Sequence, residues 1–247
     1  MTNGLLPARE EASFAIRERL HVNTLVIYCH PDDHSHNHRV LEAVVRGLTA
    51  VGTTHEVLDL YRSGFEPRLQ AGEYRRMFVT GAPGADDDVL RLQAQVAQAA
   101  NLVFVYPVWW YAMPACLKGY IDRVFTPGFA YRFRPYTWWR AIGGSVIARV
   151  PGVRYLLQPY AARGLLRDKR ACIFRTYGGP PSGRRLFGNT TTALEHVVLR
   201  LCGITDVTIC ELYGVHLPGD AAGRERRFLA RVERVARTIR NPDAALK

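Results

Sequence analysis

What the chain lacks narrows it first. No apolar run reaches roughly 18 residues, so no membrane-spanning helix is expected. Residues 1–19 contain no apolar core and carry Glu10, Glu11 and Glu18, unlike a secretory signal. The cysteines are Cys29, Cys116, Cys172, Cys202 and Cys210, an odd number with no Cys-x-x-Cys pair. They sit in apolar surroundings, so buried thiols in a reducing cytoplasm are expected in place of a disulfide framework. Internal repeats and low-complexity stretches are missing, which excludes solenoids and collagen-like chains. Lysine is scarce: of 33 basic residues only Lys118, Lys169 and Lys247 are lysines.

What is present is an ordinary globular composition, 48% hydrophobic and 22% charged over 247 residues. That suits one large domain over residues 1–247, with its core at 22–240. The net charge of +11 is the unusual quantity. Such a balance can serve nucleic acid, an anionic membrane surface or acidic ligands. No nucleic-acid recognition motif accompanies it, so no nucleic-acid partner is expected.

Short apolar runs at 24–29, 55–60, 101–106, 170–176 and 206–211 read as strands. Helical spacing at 41–48, 86–99, 114–125, 191–202 and 221–239 separates most of them. Carboxylates at Asp86, Asp87 and Asp88 suit the start of the second of these helices. The strands are continuous runs instead of alternations, the pattern of a parallel sheet covered on both faces. Five such strands predict an α/β three-layer sandwich of flavodoxin-like order 2-1-3-4-5. Ligands of such sheets sit beyond the carboxyl ends of the strands, which directs attention to the loops after Cys29, Tyr106 and Thr176. One segment interrupts the alternation. Residues 132–170 hold nine cations against Asp168, with Trp138 and Trp139, and read as an insertion before the fourth strand.

The first loop, His30-Pro-Asp-Asp-His-Ser-His-Asn-His38, admits two chemistries. His-Pro-Asp-Asp after a first strand resembles the opening of zinc-dependent N-deacetylases. That family needs a further His pair downstream, and here His55, His196 and His216 stand apart, so no metal is expected. The alternative is anion binding, with Ser35, His36 and Asn37 at a helix start that favours phosphate. The second loop places Trp109, Trp110 and Tyr111 beyond a strand end. Three consecutive aromatics are costly to expose, and a flat, apolar flavin ring would cover them.

Taken together, three collinear segments resemble the flavodoxin-like NAD(P)H:quinone oxidoreductase family, which includes mammalian-type quinone reductases and bacterial modulator-of-drug-activity proteins. They are His30-Pro with Ser35-x-Asn37, residues 107–131, and Thr176-Tyr-Gly-Gly179. The resemblance implies FAD as cofactor, with FMN as the other option, NAD(P)H as co-substrate, a quinone or other small electron acceptor, and a homodimer. It implies that His30, Ser35, His36 and Asn37 hold the phosphate and ribityl regions. Pro107, Val108, Trp109, Trp110 and Tyr111 would wrap one ring edge, and Thr176, Tyr177, Gly178 and Gly179 would close the other. Tyr131 and Phe133 would line the nicotinamide and quinone pocket. His36 stands where the family usually has Phe, and Tyr177 where it has a second Thr. The Tyr and His that mammalian members carry after the Gly-Gly have no counterpart in residues 180–185, so Arg184 or Arg185 is expected to stabilise reduced flavin by charge. Lys118, Asp122 and Arg123 are expected to serve packing, pairing or a dimer contact. A regulatory subunit of a membrane transport system shares the same motif and is the alternative reading. The basic, aromatic insertion is read as a lid, a dimer contact or a peripheral contact with anionic membrane.

Overall fold

The computed structural model describes residues 23–80, 85–133, 162–183, 186 and 192–239. Within them runs a five-stranded parallel sheet, β1 (Thr24–Tyr28), β2 (His55–Asp59), β3 (Asn101–Val108), β6 (Arg170–Tyr177) and β7 (Asp206–Leu212), in the order β2-β1-β3-β6-β7. An antiparallel pair, β4 (Tyr131–Phe133) and β5 (Ala162–Gly164), precedes β6. The basic stretch 134–161 lies outside the described residues, so its reading as lid, dimer contact or membrane contact rests on sequence.

Both sheet faces are covered, which is why β1 is buried along its whole length and reads as an uninterrupted apolar run. On one face, α1 (His36–Ala50) and α6 (Ala221–Ala236) pack over Val26, Val103, Val105 and Phe174. On the other, α3 (Asp87–Gln98) and α4 (Ala115–Val124) cover Leu25, Ile27, Leu102 and Phe104. Burying each such side chain contributes roughly 1.5–3 kcal/mol. α4 starts after Pro114, which serves as its N-cap, one position earlier than the first-turn placement expected. Asp86 is the N-cap of α3, but its carboxylate pairs with Arg76 instead of capping the helix.

Besides the β4–β5 pair, which the sequence reading did not contain, two segments depart from it. Residues 71–80, given no element from sequence, form α2 (Ala71–Tyr74) running into a π-helical Arg75–Thr80. The helix expected over 191–202 is π-helical at Leu194–Leu199 before α5 (Arg200–Cys202), and Gly203 closes it in the left-handed conformation. Among the described residues all five cysteines are free thiols, with Cys29, Cys202 and Cys210 buried.

Arg123 is buried on α4 and ion-paired with Glu73 at 2.8 Å and Asp88 at 2.9 Å. Lys118 pairs with Asp122 one turn away on the same helix. The Arg123 pairing joins elements of the fold, whereas the Lys118–Asp122 pair is exposed and lies within one helix; none of these residues lines the cleft.

Candidate functional site

Parallel strands send all their carboxyl ends to one edge of the sheet, and the order reverses at β1, whose following loop leads away from β3. There the loops after β1, β3, β6 and β7 enclose a cleft of about 850 Å³. From the first loop it is lined by His30, Asp32, His34, Ser35, His36 and Asn37. Ser35 is the N-cap of α1, and its hydroxyl accepts from the His38 amide at 3.1 Å. The Asp32 amide donates to His30 Nδ1 at 3.0 Å, and Asp32 Oδ1 accepts from the His34 amide at 2.9 Å, so the loop is folded on itself. His36 Nδ1 lies 2.8 Å from Glu225 Oε1, and Arg39 Nε donates to the same oxygen at 2.7 Å. Burial would raise the Glu225 carboxyl, yet the bonds from Arg39 and His36 outweigh it and hold the group below the usual carboxylate range.

Asn37 reaches across the cleft floor. Its Nδ2 donates to Thr176 Oγ1 at 2.9 Å, joining the start of α1 to the end of β6. Its Oδ1 is buried with no protein partner. A buried amide oxygen left in that state costs about 1–3 kcal/mol, so it marks a place where a donor is wanted.

After β3 the chain makes a two-residue reversal. Trp109 and Ala112 exchange both backbone hydrogen bonds, at 3.0 and 2.9 Å. The residues between them, Trp110 and Tyr111, have φ of 50° and 57°. Turns of this hand favour Asn-Gly, and bulky residues there are strained by roughly 1–2 kcal/mol each. Trp110 is 98% exposed, so its ring gains almost nothing from the protein in return. Tyr111 lies against Gly183, where even a Cβ would collide with its hydroxyl. Strain of this kind gathers at functional sites.

The far wall comes from β6 and β7. Thr176, Tyr177, Gly178, Gly179 and Pro180 line it, joined by Val215 and His216. The Gly214 amide donates to the Gly179 carbonyl at 2.9 Å and the Val215 amide to the Tyr177 carbonyl at 3.1 Å. These bonds bring His216 so close to Gly178 that an added Cβ would stand 3.1 Å from its ring.

The cleft thus gathers all thirteen residues expected to bind a cofactor. Tyr177, expected also to take part in the chemistry, lines it but is buried, with its hydroxyl engaged by Glu211 at 2.9 Å. Tyr131 and Phe133 stack edge-on at 5.3 Å on β4 and do not line the cleft of their own chain. Arg184 lies outside the described residues. Asp32, His34, Pro180, Val215 and His216 were missed. The last two follow β7, whose carboxyl end shares the sheet edge with those of β3 and β6, and that position was the available signal. Four histidines reach the cleft, but among the described residues no three His, Cys, Asp or Glu side chains are grouped to hold a metal ion.

The fold is that of a doubly wound α/β protein, and the chain belongs to the flavodoxin-like fold family, which matches residues 22–236. It is 32% identical over 126 residues to the mouse ribosyldihydronicotinamide dehydrogenase [quinone], covering 43% of this chain and 52% of that enzyme. The chain therefore spans about half the length of that relative. An uncharacterized NAD(P)H oxidoreductase of Haemophilus influenzae is 29% identical over 215 residues, 85% of this chain and 92% of the relative. Among solved structures, an NAD(P)H:quinone oxidoreductase from Methanothermobacter marburgensis superposes with a TM-score of 0.69 at 28% identity, over 87% of this chain and 96% of that one.

Proposed function

We propose that this protein is a flavin-dependent NAD(P)H oxidoreductase that passes two electrons, as hydride, from NAD(P)H to a quinone-like acceptor. The observation that carries the reading is the convergence of a helix start, an exposed aromatic turn and a Gly-Gly strand end on one cleft. Relatives named as NAD(P)H and quinone oxidoreductases support it.

The residues present fit a flavin. The orphaned Asn37 Oδ1 wants a donor, which ribityl hydroxyls carry. The start of α1 with Ser35 and His36 suits a phosphate. Trp109, Trp110 and Tyr111 offer an uncovered aromatic edge, and Gly178 and Gly179 let a ring approach the backbone closely. The flavin supplies the hydride and electron chemistry when bound. The protein holds it, orients it and keeps water from the aromatic wall. Tyr131 and Phe133, with Phe133 63% exposed on β4, would serve the cleft of a second copy in a homodimer. Arg184 would act by charge beside the Gly-Gly loop. A cytoplasmic location, with the basic insertion serving as a lid, a dimer contact or a peripheral contact with anionic membrane, belongs to the same reading.

The test is a spectrum and a titration. Purified protein should be yellow or take up FMN or FAD to one per chain, and the tighter binder identifies the cofactor. The loaded protein should then oxidise NADH or NADPH in the presence of a water-soluble quinone. Colourless protein that binds neither flavin at micromolar concentration overturns the reading.

A further inference from the structure

Below the cleft wall lies a polar cluster that the proposed chemistry does not use. On β6 and β7, Arg175 faces Glu211 in register. Just beyond them Tyr177 and Tyr213 stack, with ring centroids 4.3 Å apart and planes within 13°. Both hydroxyls turn onto one carboxylate. Tyr177 donates to Glu211 Oε1 at 2.9 Å and Tyr213 to Glu211 Oε2 at 2.7 Å. Arg175 donates to the same Oε1 at 2.8 Å through Nε, and its other nitrogens grip Glu195 at 2.9 and 3.1 Å. Tyr106, the residue before the cleft's Pro107, has its hydroxyl 3.5 Å from Arg175. Arg175 is 1% exposed and Glu195 is buried, so that pair is fixed in place, and Glu211 is held by Arg175 and the two hydroxyls.

This geometry constrains the site. Tyr177 ends β6 and Tyr213 follows the last residue of β7, at the points from which the cleft wall departs. From Tyr177 the chain enters Gly178-Gly179, and from Tyr213 it enters Gly214 to His216. The two segments are then tied by the Gly214 and Val215 amides. A carboxylate that grips both rings fixes the distance between the two segments. We propose that Glu211 is a positioning residue for the flavin cleft: by clamping Tyr177 and Tyr213 it sets the wall formed by Gly178, Gly179 and His216, and its charge opposes added negative charge on a ring bound there. Burial alone would raise this carboxyl, but Tyr213, Arg175 and Tyr177 together hold it below the usual range, so it stays ionised near neutrality. The charge half of the proposal rests on the flavin reading; the clamp does not.

The experiment uses Glu211→Gln, which keeps shape and removes charge. In the ligand-free protein, amide hydrogen exchange at Gly214 and Val215 should quicken about tenfold, and unchanged protection overturns the clamp. Wild type is then titrated with FMN and FAD; no binding overturns the proposed function and the charge half with it, and leaves the exchange result standing. Where wild type binds, Glu211→Gln should bind oxidised flavin about fivefold more weakly. It should also shift the ratio of oxidised to reduced dissociation constants about tenfold toward the reduced form, a rise of roughly 30 mV for a two-electron couple. A potential equal to wild type overturns the charge role. If Glu211→Gln does not fold, Tyr177→Phe and Tyr213→Phe keep the ring stack and remove one hydroxyl each. Both should speed exchange at the same amides, and wild-type exchange in both overturns the clamp.

Discussion

Two arginines are buried to a similar depth, each gripped by two carboxylates, and they do different work. Arg123 ties α4 to Glu73 on α2 and Asp88 on α3, and also donates to the Glu66 carbonyl at 2.6 Å. It is a brace between three helices on one face of the sheet. Arg175 sits in an interior strand, one residue before the cleft wall begins, and one of its carboxylates also receives two tyrosines at the carboxyl ends of β6 and β7. The chemistry of the two clusters is nearly the same. Position relative to the carboxyl edge of the sheet separates a brace from part of a site.

The largest expected effects test that contrast. Removing one partner of a buried pair strands the others, at a cost of about 3–5 kcal/mol. Arg123→Met and Arg175→Met should both lose about that much in urea unfolding. Their flavin affinities, measured on the folded fraction, should diverge: Arg175→Met weakened at least tenfold, Arg123→Met unchanged. Equal loss of affinity in both would dissolve the comparison.

A smaller effect is expected at the opposite wall. Asn37→Ala removes the bond to Thr176 and also an acceptor that has no protein partner. Losing one donor and one orphan nearly offsets, so ligand-free stability should change by no more than about 1 kcal/mol. Flavin affinity should fall about tenfold. A large stability loss with unchanged affinity would make Asn37 a structural bridge alone.

Much of this was legible from sequence, and unevenly. Buried parallel strands announce themselves because both faces are apolar, so 24–29 and 101–106 could be read as runs. The first-loop, aromatic and Gly-Gly residues follow strand ends, and the α/β sheet delivers those ends to one edge. Glu211 and Glu195 could not be found this way. Each is one carboxylate in an otherwise ordinary segment; strand register brings Glu211 opposite Arg175, and packing of the segment Leu194–Leu199 brings Glu195 to it. Residues 71–80 were missed because Arg75 and Arg76 break the apolar spacing that marks a helix. Tyr131 and Phe133 were assigned to the pocket from resemblance, and position along one chain says nothing about a second copy.

Strain in the aromatic turn gives a third test, with the sign reversed. Trp110 holds φ of 50° with its ring in water. Gly adopts that conformation freely, although it costs more entropy in the unfolded chain. Trp110→Gly should therefore gain about 0.5–1 kcal/mol without ligand and lose flavin affinity. A destabilised Trp110→Gly protein would mean that the turn stores no strain.

The smallest effect concerns pH at the end of the cleft where Glu225 meets Arg39 and His36. Its folded carboxyl lies below the ordinary range, so the folded state holds this proton less tightly than the unfolded one. The stability it contributes is complete above the unfolded value, near 4.3, and drains away as pH falls through the folded value. Glu225→Gln removes that contribution at every pH. The gap in urea midpoint between wild type and Glu225→Gln should be widest at pH 6–7, narrow below about pH 4, and close in stronger acid. Glu211 titrates in the same direction in both proteins and cancels from the difference. A gap that stays constant from pH 7 to 3 would show that Glu225 acts through shape, and its ion pair with Arg39 would then contribute nothing to holding the start of α1.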